Sequence, residues 1–177
     1  MRAVGRARTA ALSAVQDLPH FARKILSRKR LGQDLASRWQ EDCLGLEPDW
    51  VSILIGVNDT WRRYDSGDAT TAAVFEEVYR GLLQDTVEHT DARLILCEPF
   101  VLPHPEDREQ WREDLDPKIH AVRRLAREFG AVYIPLDGIF ATASAHRNPS
   151  FWAADGVHPT AAGHMLIAEN WLRAVHA

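Results

Sequence analysis

No stretch of this 177-residue chain approaches the roughly 20 consecutive apolar residues of a membrane-spanning helix. Residues 1–20 hold no continuous apolar core, so the pattern of a secretory leader is absent too. Cysteine is scarce: Cys43 and Cys97 are the only two, and neither falls in a metal-type spacing. They read as free packing thiols in a reducing, cytoplasmic compartment, with a disulfide between them left open. There is no internal repeat and no low-complexity tract. Neither the dinucleotide-binding glycine pattern nor the phosphate-loop pattern occurs, so a nucleotide-binding module would rest on fold analogy alone. These absences leave one domain of ordinary composition, long enough for a sizeable core and with no membrane partner.

Charge is spread unevenly. Residues 1–33 carry a net +7 and the rest of the chain −11, within an overall −4. The basic side chains are Arg2, Arg6, Arg8, Arg23, Lys24, Arg28, Lys29 and Arg30. Such a run could be a nucleic-acid arm, an organelle transit peptide or a solvated leader. No aromatic interleaving or DNA-binding motif accompanies it, so the expectation is an atypical basic leader over 1–33, without a nucleic-acid partner. The expected domain is residues 34–177.

Within the domain the texture alternates. Residues 9–46 read as helical, with one amphipathic helix over 34–46. Trp50–Ile55, Arg93–Cys97 and Ala131–Leu136 are short, nearly continuous apolar runs, as strands buried on both faces of a parallel sheet read. Helical spacing fills 69–89, with Asp68 as a candidate cap. It fills the segment from Asp116-Pro117 to Gly130, and the C-terminus from Thr160 onward. Residues 60–68 and 98–114 read as mobile loops. Strands alternating with helices imply an α/β fold: a parallel sheet with helices on both faces.

Two motifs carry chemistry. Gly56-Val57-Asn58-Asp59 follows the first apolar run, at the carboxyl end of a strand, where open α/β sheets bind ligands. Gly56 permits a tight turn there, and Asn58 offers an uncharged N–H donor suited to a developing oxyanion. Taken alone, Asn58-Asp59 also reads as a simple turn. Asp155-Gly156-Val157-His158 precedes the last helix, and a three-residue offset lets a carboxylate hold one ring nitrogen while the other acts as general base.

Together, the strand ending in Gly56–Asp59 and the C-terminal Asp155–His158 resemble the SGNH hydrolases, the GDSL-type lipases and esterases. The likeness covers about residues 34–177. It implies a flavodoxin-like three-layer α/β/α sandwich and a serine ester hydrolase acting on small acyl or acetyl esters. It requires no cofactor or metal. By that resemblance Asn58 is an oxyanion donor, His158 the general base and Asp155 its orienting partner. Gly56 and Trp61 are expected against the substrate, and Trp61, Arg62, Arg63 and Tyr64 are either available to a sugar or leaving group or equally well explained as surface packing.

The family's Gly-Asp-Ser nucleophile block is absent. Upstream of Asn58 stand Ser13, Ser27, Ser37 and Ser52; none sits on an evident strand-to-helix turn, so the nucleophile is unassigned. Gly32 is a poor match for the family's glycine donor. The expectation is a domain missing its first strands, with residues 50–55 as a bare edge, its start lost or replaced, and little esterase activity as written. The alternative is a non-catalytic protein that keeps the cleft and binds the same ligands.

Overall fold

The computed structural model describes residues 9–13 as backbone and residues 35–176 in full. Apart from residues 9–13, the basic leader, with Ser27 and Gly32, lies outside the described residues. Among them, four strands form one parallel sheet in the order β1-β2-β3-β4: Thr9–Ser13, Trp50–Leu54, Arg93–Cys97 and Val132–Ile134. Seven helices accompany them: α1 (Trp39–Asp42), α2 (Val57–Asp65), α3 (Ala72–His89), α4 (Arg112–Glu128), α5 (Leu136–Ser144), α6 (Pro149–Trp152) and α7 (Ala161–His176). No described helix is long and apolar enough to cross a membrane.

Strand alternation sorts the core into two layers. Val51 and Ile53 stand beside Leu94 and Leu96, facing Phe75, Tyr79, Leu82 and Leu83 of α3 and Val122 and Leu125 of α4. On the opposite face, Ile95 and Cys97 align with Val132 and Ile134 and meet Phe140 of α5 and Leu166, Ile167 and Trp171 of α7. Ser52 faces this second layer, where the Trp171 indole donates to its hydroxyl at 3.1 Å. That bond explains a serine inside an apolar strand. The result is the three-layer α/β/α sandwich the sequence implies.

Several expectations are corrected. β1 lies where helix was expected, and it pairs in parallel with β2, Ser13 beside Leu54, so the bare edge expected for residues 50–55 is covered. Thr-Ala-Ala-Leu-Ser is short and alanine-rich, with weak strand propensity, and its state is set by the apolar strand it pairs with. Residues 57–65 form α2, so most of the expected 60–68 loop is helical. Residues 98–114 are not one loop: Phe100, Val101 and Leu102 are buried, a short 3₁₀ helix spans Glu106–Trp111, and α4 follows. Pro117 therefore lies inside α4 rather than at its start. Trp111, Leu115 and Ile119 recur at four-residue spacing and are all buried, which offsets the proline's cost of about 3 kcal/mol. Thr71, not Asp68, caps α3, accepting from the Val74 amide at 3.3 Å.

Candidate active site

At the carboxyl ends of β2 and β3 a third apolar cluster supports the site. It joins Val101, Trp111, Leu115, Ile119 and Val157 with Val57, Trp61 and Tyr64. Both motifs contribute to this small platform, the first through Val57 and the second through Val157.

Gly56 takes φ of 120°, a conformation that L side chains rarely adopt, and α2 begins at the next residue. A Cβ there would also press on Pro99 at 3.1 Å and Phe75 at 3.2 Å. Gly56 thus acts through the backbone. Asn58 falls in the first turn of α2 instead of a free turn. It is half-buried, and its carboxamide makes no hydrogen bond among the described residues. One turn along the same helix face is Trp61, whose ring centroid lies 5.4 Å from that of His158. Asn58 and His158, a hundred residues apart in sequence, are thereby drawn to one end of the sheet.

The Asp155–His158 turn is closed by its own carboxylate. Oδ1 accepts from the Val157 and His158 amides at 3.1 and 2.8 Å, and Oδ2 accepts from His158 Nδ1 at 2.6 Å. Burial pushes the Asp155 carboxyl up, but the His158 amide, the His158 ring and the Val157 amide together outweigh it and hold it below the usual carboxylate range. With Nδ1–H given to a carboxylate, Nε2 is the nitrogen left to exchange a proton. Val157, between the two, is buried in the platform.

Gly156 fixes where this turn sits. Its φ is 82°, and its carbonyl accepts from the Leu102 amide at 2.8 Å. A Cβ would collide with the carbonyl oxygens of His104 and Leu102. Arg108 seals the arrangement: its Nε donates to the Asp155 carbonyl at 3.3 Å, and its guanidinium lies 4.3 Å from the Trp111 ring and 5.5 Å from Trp61. Trp111 in turn packs on Trp61 and stacks flat on Tyr64.

Beneath α2 lies a charged staple. Lys118 is fully buried and pairs with Asp114, which also accepts from Thr60 at 2.7 Å and Arg63 at 3.1 Å. Burial raises the Asp114 carboxyl, and bonds from Lys118, Thr60 and Arg63 bring it below its ordinary value. Arg62 and Arg63 are engaged in ion pairs with Asp65, Glu113 and Asp114. Arg108, Trp111, Asp114 and Lys118 were not singled out from sequence. The Arg108–Trp111 spacing of one turn was the available signal.

Ser52 belongs to the core, and among residues 35–176 no serine hydroxyl hydrogen-bonds to His158 Nε2. β1 places Ser13 at the carboxyl end of its strand. Among the described residues no group of three or more His, Cys, Asp and Glu side chains is arranged to hold a metal ion.

The profile of the GDSL-like lipase/acylhydrolase family matches residues 4–166. The chain is 34% identical over 146 residues to an acetylxylan esterase of Geobacillus stearothermophilus, covering 81% of this chain and 66% of that one. It therefore spans just under two thirds of that relative's length. A protein from Parabacteroides merdae, assigned as a GDSL-like lipase, superposes with a TM-score of 0.78 at 36% identity, over 82% of this chain and 68% of the other. The crystal structure of the Geobacillus esterase superposes with a TM-score of 0.71 at 31% identity, over 81% and 67%. A serine-to-alanine and a histidine-to-alanine substitution of that esterase are both described as catalytic mutants.

Proposed function

Because this chain belongs to the GDSL-like lipase/acylhydrolase family, we propose that its site is built for small acyl esters, acetyl groups on sugars foremost, and for serine-type acyl transfer. The observation that carries this reading is the Asp155–His158 pair, joined at 2.6 Å in a turn whose carboxylate also takes two backbone amides. His158 Nε2 takes the proton of an attacking hydroxyl and returns it to the leaving alcohol, and Asp155 keeps the ring oriented. The Asn58 carboxamide, which makes no hydrogen bond among the described residues, meets the oxyanion of the tetrahedral intermediate, with the amides at the start of α2 beside it. One such donor contributes about 3–4 kcal/mol to the transition state. Trp61 offers an aromatic face to a sugar ring. Two buried, unbridged thiols support a reducing, cytoplasmic setting.

The nucleophile decides between turnover and binding. Loss of one triad member leaves roughly 10³–10⁴-fold catalysis over water, far short of a complete triad. Ser13 is the first serine to test, because it ends a strand on the same side of the sheet as Asn58. The experiment is p-nitrophenyl acetate hydrolysis by the full chain beside His158→Ala and Ser13→Ala. The expected result is a weak rate that His158→Ala abolishes. A rate unchanged by His158→Ala would overturn the reading. A rate abolished by both substitutions would assign Ser13. The second reading, a ligand-binding protein without turnover, is favoured by residues 35–176, among which no hydroxyl meets Nε2.

A further inference from the structure

A cleft of about 310 Å³ borders the Asp155–His158 turn through Arg108, which lines it and donates to the Asp155 carbonyl. Val101, Leu102 and Pro103 form one wall; Arg108, Glu109 and Arg112, from the 3₁₀ helix and the start of α4, form another; Asp137, Ala141 and Ser144 of α5 close it. Neither Asn58 nor His158 lines it. Its size sits at the lower end of small-molecule sites, about 300–1,000 Å³.

Its polar groups are arranged for a neutral ligand with many hydroxyls. Two guanidinium groups are balanced by two carboxylates, so the cleft favours no ion of either sign. Arg112 holds Asp137 in a two-point pair at 2.6 and 2.9 Å and reaches Asp116 at 2.6 Å. A guanidinium has five N–H donors, so donors remain for a ligand. Glu109 is exposed, and its carboxylate has no partner among the described residues. The Ser144 hydroxyl is buried with no hydrogen-bond partner. An orphaned buried hydroxyl is costly and calls for one. The remaining wall is apolar, which suits the C–H face of a pyranose. Arg108 belongs to both places, since it lines the cleft and donates to the Asp155 carbonyl.

We propose that this cleft is a glycosyl subsite, which seats an unacylated sugar unit of an oligosaccharide while a neighbouring acylated unit lies against His158. The proposal rests on the sugar-ester reading given above. A ring in the cleft bonds to Glu109, Arg112 and Ser144, and its contact with Arg108 bears on the backbone that carries Asp155.

The test is binding of unacetylated xylotriose to the full chain, by calorimetry and by amide NMR shifts. Saturable binding is expected, with shifts at Leu102, Arg108, Ala141 and Ser144. Ala141→Trp fills the cleft, and Glu109→Ala removes an exposed acceptor whose loss should leave folding intact. Each should weaken binding about tenfold or more, as loss of one hydrogen bond to a charged group does. Absence of saturable binding, or binding indifferent to Glu109→Ala, overturns the subsite. Hydrolysis of p-nitrophenyl acetate by the same variants separates the two ideas. Binding that depends on the cleft but comes without turnover supports the subsite and counts only against the esterase reading.

Discussion

Replacing Gly156 by alanine should strike directly at the turn that carries His158. The residue sits at φ of 82°, and the left-handed conformation costs an L residue roughly 1–2 kcal/mol. The new Cβ would overlap the carbonyl oxygens of His104 and Leu102. Relieving that overlap means moving the turn, which forfeits the bond from the Leu102 amide, about 1 kcal/mol, and strains the packing around Val157 by about 1–3 kcal/mol. The total is about 3–6 kcal/mol. For a chain of this size each kcal/mol lowers the melting temperature by about 2–4 °C, so Gly156→Ala should melt roughly 6–24 °C below the parent. Gly67→Ala is the control: its φ is 72°, but a Cβ there meets nothing within 4 Å. It should carry only the conformational cost of about 1–2 kcal/mol. Differential scanning calorimetry of both variants measures the difference. If Gly156→Ala melts no lower than Gly67→Ala, the close approach between the turn and residues 102–104 is not what holds His158 in place.

Other expectations follow from the same contacts. Asp155 is held below its ordinary pKa, so its bonds stabilise the fold above about pH 4, and that contribution fades as pH falls through the depressed value; melting temperature between pH 5 and 2 should fall less steeply in Asp155→Asn. Lys118→Met leaves the buried Asp114 with Thr60 and Arg63 alone and should cost about 3 kcal/mol in urea unfolding; adding Asp114→Asn should recover part of it. Burial pushes the Cys43 and Cys97 thiols up to about 11, so a disulfide reagent at pH 8 should find almost no reactive thiol in the native chain and both after unfolding.

The sheet was legible where burial is two-sided. Trp50–Ile55 and Arg93–Cys97 announce themselves as continuous apolar runs because both faces are covered by helices. Thr9–Ser13 was illegible, since two alanines and a serine say nothing about a strand until a neighbour supplies the ladder. Asp116-Pro117 misled because it has the local chemistry of a helix start. The true start at Arg112 is set by the burial of Trp111 and Leu115. α2 was hidden for a related reason: its polar residues read as loop until Thr60 and Arg63 find Asp114, fifty residues away. The Asp155–His158 pair was readable because both partners fall within one turn. Arg108 was not, because its role depends on three segments meeting.

Asn58 and Trp61 ride on one short helix, and that helix is bolted to α4 through the buried Lys118–Asp114 pair. A hydrogen-bond donor and a stacking ring mounted on the same rigid post cannot adjust independently. Under the proposed function, changing the group that fits beside His158 therefore calls for trimming the ring itself or reshaping the neighbouring bank, residues 101–108. Repositioning the post would disturb the oxyanion donor proposed for Asn58 along with Trp61, so variation in ligand preference should accumulate on that bank and leave α2 unaltered.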